Sequence, residues 1–276
     1  MILIIKHGAL GDIIQATEAF RCIREKHIGQ KIVLMTKQSF VGFAKQMPFF
    51  DDVIVDYYPK INPIQYYKTL KQIARYDKIY DLQHSGRTAR YFNLLKFFNK
   101  LPLLSTIPKQ CDRKISAFKI FKEQLQDLNY QDYPCLDFMK SDIEKFNLPQ
   151  NFALIVAGCS LRGEAKKWTP EGFANECNLF FERGITPVFI GSMIDKQTID
   201  DIKKLYKHDY IDLSGQTNLN EVASIARKAT ECISIDTGPA HIIAGVGCKI
   251  KIIFNIKYSN PEKSLAIGKF VKVFMI

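Results

Sequence analysis

Short apolar, β-branched runs alternate with longer stretches of helical period along this chain. In the first half Ile2–Ile5, Lys31–Thr36, Val53–Val55 and Lys78–Leu82 read as strands. Ile13, Ile14, Ala16, Phe20 and Ile23 fall on one helical face, and Asn62–Ile73 and Thr88–Phe98 read as further helices. A less regular stretch from about Tyr130 to Gln150, with Pro134 and Pro149, reads as a connection. The alternation then restarts, with strands at Phe152–Ala157, Thr186–Ile190, Cys232–Ile235 and Lys249–Phe254. Helices are expected at Pro170–Glu182, Ile194–Tyr206 and Leu219–Lys228. This order predicts stacked βαβ units, hence an α/β protein with mostly parallel sheets. A length of 276 residues suits two domains, placed at 1–149 and 150–276.

The formal net charge of +11 makes phosphates attractive partners, whether of nucleic acid, an anionic membrane face or a phosphorylated small molecule. The 7 cysteines form no CxxC pair and several lie in apolar runs, the pattern of reduced thiols in a cytoplasmic protein rather than a disulfide frame or zinc site. The apolar start Met1–Ile5 meets Lys6 too early for a signal peptide, and no run approaches the roughly 18–20 apolar residues of a membrane span. No carboxylate or Cys/His cluster suggests a metal, and no cofactor is expected.

Three strand-to-helix loops carry candidate chemistry. In Lys6-His7-Gly8-Ala9-Leu10-Gly11-Asp12 the glycines are spaced GxxG, short of the dinucleotide fingerprint, which disfavours a nicotinamide enzyme. Asp12 there is either a helix cap or a general base. The loop Gly158 to Pro170 holds Ser160, Lys166, Lys167 and the only tryptophan, Trp168. It is either a phosphate-binding loop or a solvated basic one, and Thr169-Pro170 suits an N-cap and first turn. In Asp236-Thr237-Gly238-Pro239-Ala240-His241 a strand ends and a helix begins, and free N–H groups there suit a pyrophosphate. Asp195, after Gly191-Ser192, is a ribose ligand or a cap. Arg87 either meets an anionic acceptor or is a surface charge. No recognition module supports nucleic-acid binding.

Together these residues resemble the bacterial lipopolysaccharide heptosyltransferases of glycosyltransferase family 9. The resemblance rests on Ile4 through Asp12, Tyr76 through Gln83, Lys166-Lys167-Trp168-Thr169-Pro170-Glu171, Leu213 through Thr217, and Asp236 through His241 followed by Ala244-Gly245-Val246-Gly247. It implies a GT-B fold, two Rossmann-like domains facing a cleft, the first binding acceptor and the second donor. The donor implied is an ADP-activated heptose and the acceptor inner-core lipopolysaccharide, an anionic glycolipid. Transfer is expected to be inverting and metal-independent, by a monomer at the cytoplasmic membrane face.

The resemblance assigns Asp12 as base, and Gly8, Gly11 and Arg87 are the candidates for the acceptor side. Ser160, Lys166, Asp195, Asp236, Thr237, Gly238 and His241 would hold the donor. The Ser160–Lys166 loop is longer than the family's, so Lys166 and Lys167 are alternatives for the phosphate contact. The family carries further C-terminal helices, and this sequence ends at Ile276. A non-catalytic binding relative is the alternative reading.

Overall fold

Ile2–Ile5 and Ile32–Thr36 are continuous apolar runs rich in β-branched residues and buried throughout, the pattern of strands covered on both faces by the helices that flank a parallel sheet. The computed structural model describes residues 1–57, 62–106, 112, 114–159 and 161–276. It divides into two units, Met1–Asp132 and Tyr133–Ile276.

The first unit runs β1 (Ile2–Ile5), α1 (Leu10–Lys26), β2 (Ile32–Thr36), α2 (Val41–Ala44), β3 (Asp52–Val55), α3 (Pro63–Ile73), β4 (Lys78–Asp81), α4 (Gly86–Phe97), β5 (Leu103–Ser105) and α5 (Ala117–Gln124). Its strands are all parallel in the order β3-β2-β1-β4-β5. Leu3, Ile5, Val33 and Met35 pack with Ile73, Tyr91 and Leu95 in one core cluster. Ile13, Ile14, Ala16, Phe20 and Ile23 of α1 are all buried, as their spacing predicts.

The second unit runs β6 (Phe152–Val156), α6 (Pro170–Glu182), β7 (Thr186–Phe189), α7 (Lys196–Leu205), β8 (Ile211–Asp212), α8 (Leu219–Lys228), β9 (Glu231–Ile235), α9 (Gly238–Gly245), β10 (Ile250–Phe254), α10 (Pro261–Ser264) and β11 (Val271–Met275). Its sheet is also parallel, in the order β11-β10-β9-β6-β7-β8. That is the doubly wound order of the Rossmann fold, read from its far edge.

The stretch 133–149, read from the sequence as a connection at the end of the first domain, falls within the second unit. Leu136 and Met139 are buried, and the Arg227 guanidinium on α8 donates to both their carbonyls, at 2.8 Å for Leu136. The Ser141 N–H donates to Ser224 Oγ at 2.8 Å. These backbone bonds, invisible in the sequence, decide which half the segment joins.

In each sheet the chain starts at a central strand and winds outward in both directions. The reversal falls between β1 and β4 in the first sheet and between β6 and β9 in the second. Ligands of open α/β sheets bind beyond the carboxyl ends of the strands at such switch points. Topology thus brings the loop after β1 beside the loop after β4, and the loop after β6 beside that after β9.

Candidate functional site

At the second switch point Lys166 closes a short 3₁₀ turn over Leu161–Lys166 that follows β6. Its Nζ donates to Asp236 Oδ2, at the end of β9, across 2.7 Å. Asp236 is buried, and the same oxygen accepts from Ser259 Oγ and, at 3.2 Å, from Ser264 Oγ. A carboxylate taken out of water needs such partners. Three donors on one oxygen pin the lysine in place.

Lys167 goes elsewhere, donating to Thr198 Oγ1 at 3.0 Å and pairing with Glu164 at 2.8 Å. Trp168 stacks edge-on against Phe173 with ring centroids 5.1 Å apart, and a Cβ on Gly172 would lie 2.4 Å from its ring. It is a packing residue. Thr169 caps α6 through its Oγ1, which accepts the Gly172 N–H at 3.1 Å, and Pro170 opens the helix.

Thr237 is the N-cap of α9, yet its side chain makes no capping hydrogen bond. Gly238 and Pro239 form the first turn, and the orphan N–H groups of a helix start are left without help from that side chain. His241, one turn along, is buried.

Asp195 fulfils part of the capping reading. Its Oδ2 accepts from Ser192 N at 2.8 Å and Ser192 Oγ at 2.7 Å. Its Oδ1, also buried, accepts nothing. A Cβ on Gly158, in the loop after β6, would lie 2.2 Å from that oxygen. Glycine is needed there because the Asp195 carboxyl sits against the loop backbone. Ser160 lies outside the described residues.

At the first switch point Asp12 lies in the first turn of α1, but the N-cap is Ala9, with no side-chain capping bond. The capping reading of Asp12 is therefore set aside. Its half-exposed carboxylate has no hydrogen bond or ion pair with any described residue. Gly8 has φ +84°, and a Cβ there would lie 2.6 Å from the Phe40 ring, so only glycine fits. Gly11 is buried in the first helical turn.

Arg87, in the first turn of α4, points its guanidinium at Asp56, with 3.3 Å between Nη1 and Oδ2. Asp56 is buried at the end of β3 and also accepts from Tyr91 Oη at 2.9 Å. His7 Nε2 stands 2.9 Å from Asp56 Oδ2, without the alignment of a hydrogen bond. The loop after β4 is held by Asp81. Its Oδ1 accepts the N–H groups of Gln83 (3.0 Å) and His84 (3.2 Å), and its Oδ2 accepts from Thr88 Oγ1 (2.9 Å). Burial pushes the Asp81 carboxyl above the usual carboxylate range, and these bonds pull it back only in part.

Sequence reasoning missed Ser259, Ser264 and Asp56. Asp56 stands just past a strand end, a position that merits attention in a parallel sheet, but isolated serines after β10 carry no signal. Among the described residues no group of three or more His, Cys, Asp or Glu is placed to hold a metal. The described cysteines are free, and burial pushes the Cys177 and Cys248 thiols up to about 12.

Two parallel doubly wound sheets, each with its candidate residues at the switch point, define the two-domain α/β class of GT-B folds. The family model for glycosyltransferase family 9 (heptosyltransferase) matches residues 108–269, more than half of the chain, and the chain belongs to that family. The chain is 28% identical over 113 residues to the lipopolysaccharide core heptosyltransferase OpsX of Haemophilus influenzae. That match covers 40% of this chain and 32% of the relative, so it spans about a third of the curated protein. The solved structure of a glycosyl transferase family 9 protein from Veillonella parvula superposes with a TM-score of 0.76 at 19% identity, covering 99% of this chain and 86% of that one. The E. coli heptosyltransferase WaaC, solved with ADP, superposes with a TM-score of 0.72 at 16% identity, covering 99% and 92%.

Proposed function

We propose that this protein is a glycosyltransferase that moves a heptose or related sugar from an ADP-sugar to an anionic lipopolysaccharide-core acceptor. The observation that carries this reading is the 2.7 Å Lys166–Asp236 pair at the second switch point, next to the helix start at Thr237. In this reading Lys166 and the N–H groups of Thr237 and Gly238 take the negative charge that grows on the leaving diphosphate. Asp236 holds Lys166, and Asp195 Oδ1 accepts a ribose hydroxyl. Ser160 and His241 complete the donor side. A fixed ammonium and a helix terminus supply the charge that a divalent ion supplies elsewhere, so transfer needs no metal.

The first unit takes the acceptor, with Gly8 and Gly11 letting its backbone approach and Arg87 near its anionic groups. Asp12 removes the proton of the attacking hydroxyl as that oxygen bonds to the anomeric carbon and the bond to the diphosphate breaks. Configuration inverts in one displacement, and ADP leaves.

No helix among the described residues is long and apolar enough to cross a membrane. A monomer working at the cytoplasmic face would reach a lipid-borne acceptor by peripheral contact. The decisive experiment incubates purified protein with a panel of nucleotide sugars and core acceptors and identifies products by mass spectrometry. A heptosylated core supports the reading. ADP binding with no product from any pair would leave a non-catalytic binding protein instead.

A further inference from the structure

Helix α4 is apolar on two faces. Its inner face carries Tyr91, Phe92 and Leu95 into the core of the first unit. Its outer face carries Arg90, Leu94 and Phe97 at i, i+4 and i+7, and all three are exposed. Phe98, just past the helix, and Leu103, at the start of the edge strand β5, extend the outer patch. Phe97 and Leu103 are 78% and 66% exposed. Helix α3 lies beside α4, since the Tyr66 and Tyr91 rings stand 5.3 Å apart between centroids. It too turns a row outward at i, i+3, i+4 and i+7, here Ile64, Tyr67, Lys68 and Lys71.

Solvent-facing phenylalanines and leucines grouped in this way mark a contact surface. The charge around them says what is contacted. The sequence has no aspartate or glutamate between Asp56 and Asp77, or between Asp81 and Asp112. Lys68, Lys71, Arg90, Lys96 and Lys100 are exposed, and none forms an ion pair with a described residue. Asp77, whose carbonyl accepts the Leu103 N–H at 3.1 Å, has its carboxylate paired with the Met1 ammonium. Unpaired cations around an apolar centre suit an anionic layer with an apolar interior. Lysine stems lie along its boundary while the ammonium groups reach the headgroups. Phe97 and Phe98 stand edge to face, at 82° with centroids 5.1 Å apart, so they offer no flat platform for a nucleic-acid base.

We propose that the outer face of α3 and α4 docks the protein on an anionic phospholipid bilayer. Leu94, Phe97, Phe98 and Leu103 enter the boundary between headgroups and acyl chains, and the five cations meet the headgroup phosphates. This rests on the reading of the acceptor as lipid-borne, and it names the surface that makes the contact. The docking residues stand apart from the chemistry, because Phe97 lies about 15 Å along α4 from Arg87. Docking therefore concentrates the protein where its acceptor is anchored without touching the reacting groups.

Flotation with acceptor-free vesicles, of phosphatidylglycerol or of phosphatidylcholine, is the direct test. The wild type should float with the anionic vesicles, less so as salt rises, and stay behind with the neutral ones. The double variant Phe97→Ser/Phe98→Ser should partition onto anionic vesicles ~10-fold or more weakly, the scale of withdrawing phenylalanine side chains from an apolar boundary. Lys96→Gln/Lys100→Gln should also weaken it. Leu179→Ser, at a leucine 51% exposed on α6, should not. The altered side chains face solvent, so all three variants should melt with the wild type. Equal flotation of the wild type and the phenylalanine variant, or of the wild type on both lipids, would overturn the proposal. So would a wild type that floats with neither lipid and forms a dimer that the phenylalanine variant lacks, which would make the face an interface between copies. In turnover, the phenylalanine variant should raise KM for a vesicle-borne acceptor by ~10-fold or more and leave kcat and KM for the delipidated acceptor unchanged. If the wild type transfers no sugar at all, the proposed function fails, and flotation still decides the role of this face.

Discussion

Lys166 Nζ and Asp236 Oδ2 lie 2.7 Å apart although 70 positions separate them in the chain, because β6 and β9 are neighbours at the centre of the second sheet. The pair orients a cation that is still about one third exposed, so the lysine is both fixed and reachable. Lys167, one residue on, is turned toward α7.

That difference predicts a clear ranking. Lys166→Met should weaken ADP binding by ~10-fold or more, the scale of losing a charge-assisted hydrogen bond, while Lys167→Met should change it little. Calorimetric titration with ADP in metal-free buffer checks this. A larger loss in Lys167→Met would reverse the assignment.

Asp12→Asn should lower kcat by ~10²–10⁴-fold, the usual contribution of a positioned base, with ADP affinity unchanged. Because Asp12 makes no capping bond, its effect on folding should be confined to the helix dipole, about 0.3–1 kcal/mol. Steady-state rates and thermal melts on one preparation separate the two effects. Wild-type kcat with an early melt would make Asp12 structural.

The elements most legible in the sequence were those whose pattern is local. Pro170–Glu182 and Leu219–Lys228 match their expected bounds, because Thr169-Pro170 and the Asn218–Glu221 capping box mark their starts. The short edge strands Leu103–Ser105 and Ile211–Asp212 were missed, since two or three residues carry no period. Helix Ala117–Gln124 was missed as well, because its buried Phe118 and Phe121 span a single turn. Within the site, the loops at the strand ends were readable and their partners were not. Nothing near Asp236 in sequence announces Ser259 or Ser264, and nothing near Arg87 announces Asp56. Such contacts are fixed by strand order, which local pattern does not encode.

Asp195 supports a two-part test. Asp195→Asn can keep an oxygen toward Ser192, but it then puts an amide donor where Oδ1 now stands unpaired. ADP affinity should fall while the melting temperature changes little. Gly158→Ala should do more, because its Cβ would lie about 2 Å from the Asp195 carboxyl and must push it aside. That variant should lose both stability and ADP binding. If Asp195→Asn binds ADP normally, Oδ1 has no ligand role.

Lys6 makes a prediction about pH that does not depend on substrate. Burial favours its neutral form in the folded protein, while the unfolded chain keeps the proton up to the ordinary lysine value of 10.5. Between the lowered folded value and 10.5, unfolding takes up a proton, so the stability contributed at this residue rises with pH. Below that window both states are charged and the burial penalty stands in full. Lys6→Met removes the penalty, so it should melt above the wild type at neutral pH, and the gap should close as pH rises toward 10.5. Each unit by which burial lowers the folded pKa corresponds to about 1.4 kcal/mol of that gap. Tyrosines and cysteines that titrate in the same range are common to both proteins and largely cancel in the difference, and Asp12 and Asp81 are ionised in the unfolded chain throughout. Melting curves for the two proteins at half-unit steps from pH 7 to 10.5 check the trend. A gap that stays constant with pH would mean that burial does not disfavour the charged form of Lys6 in the folded protein.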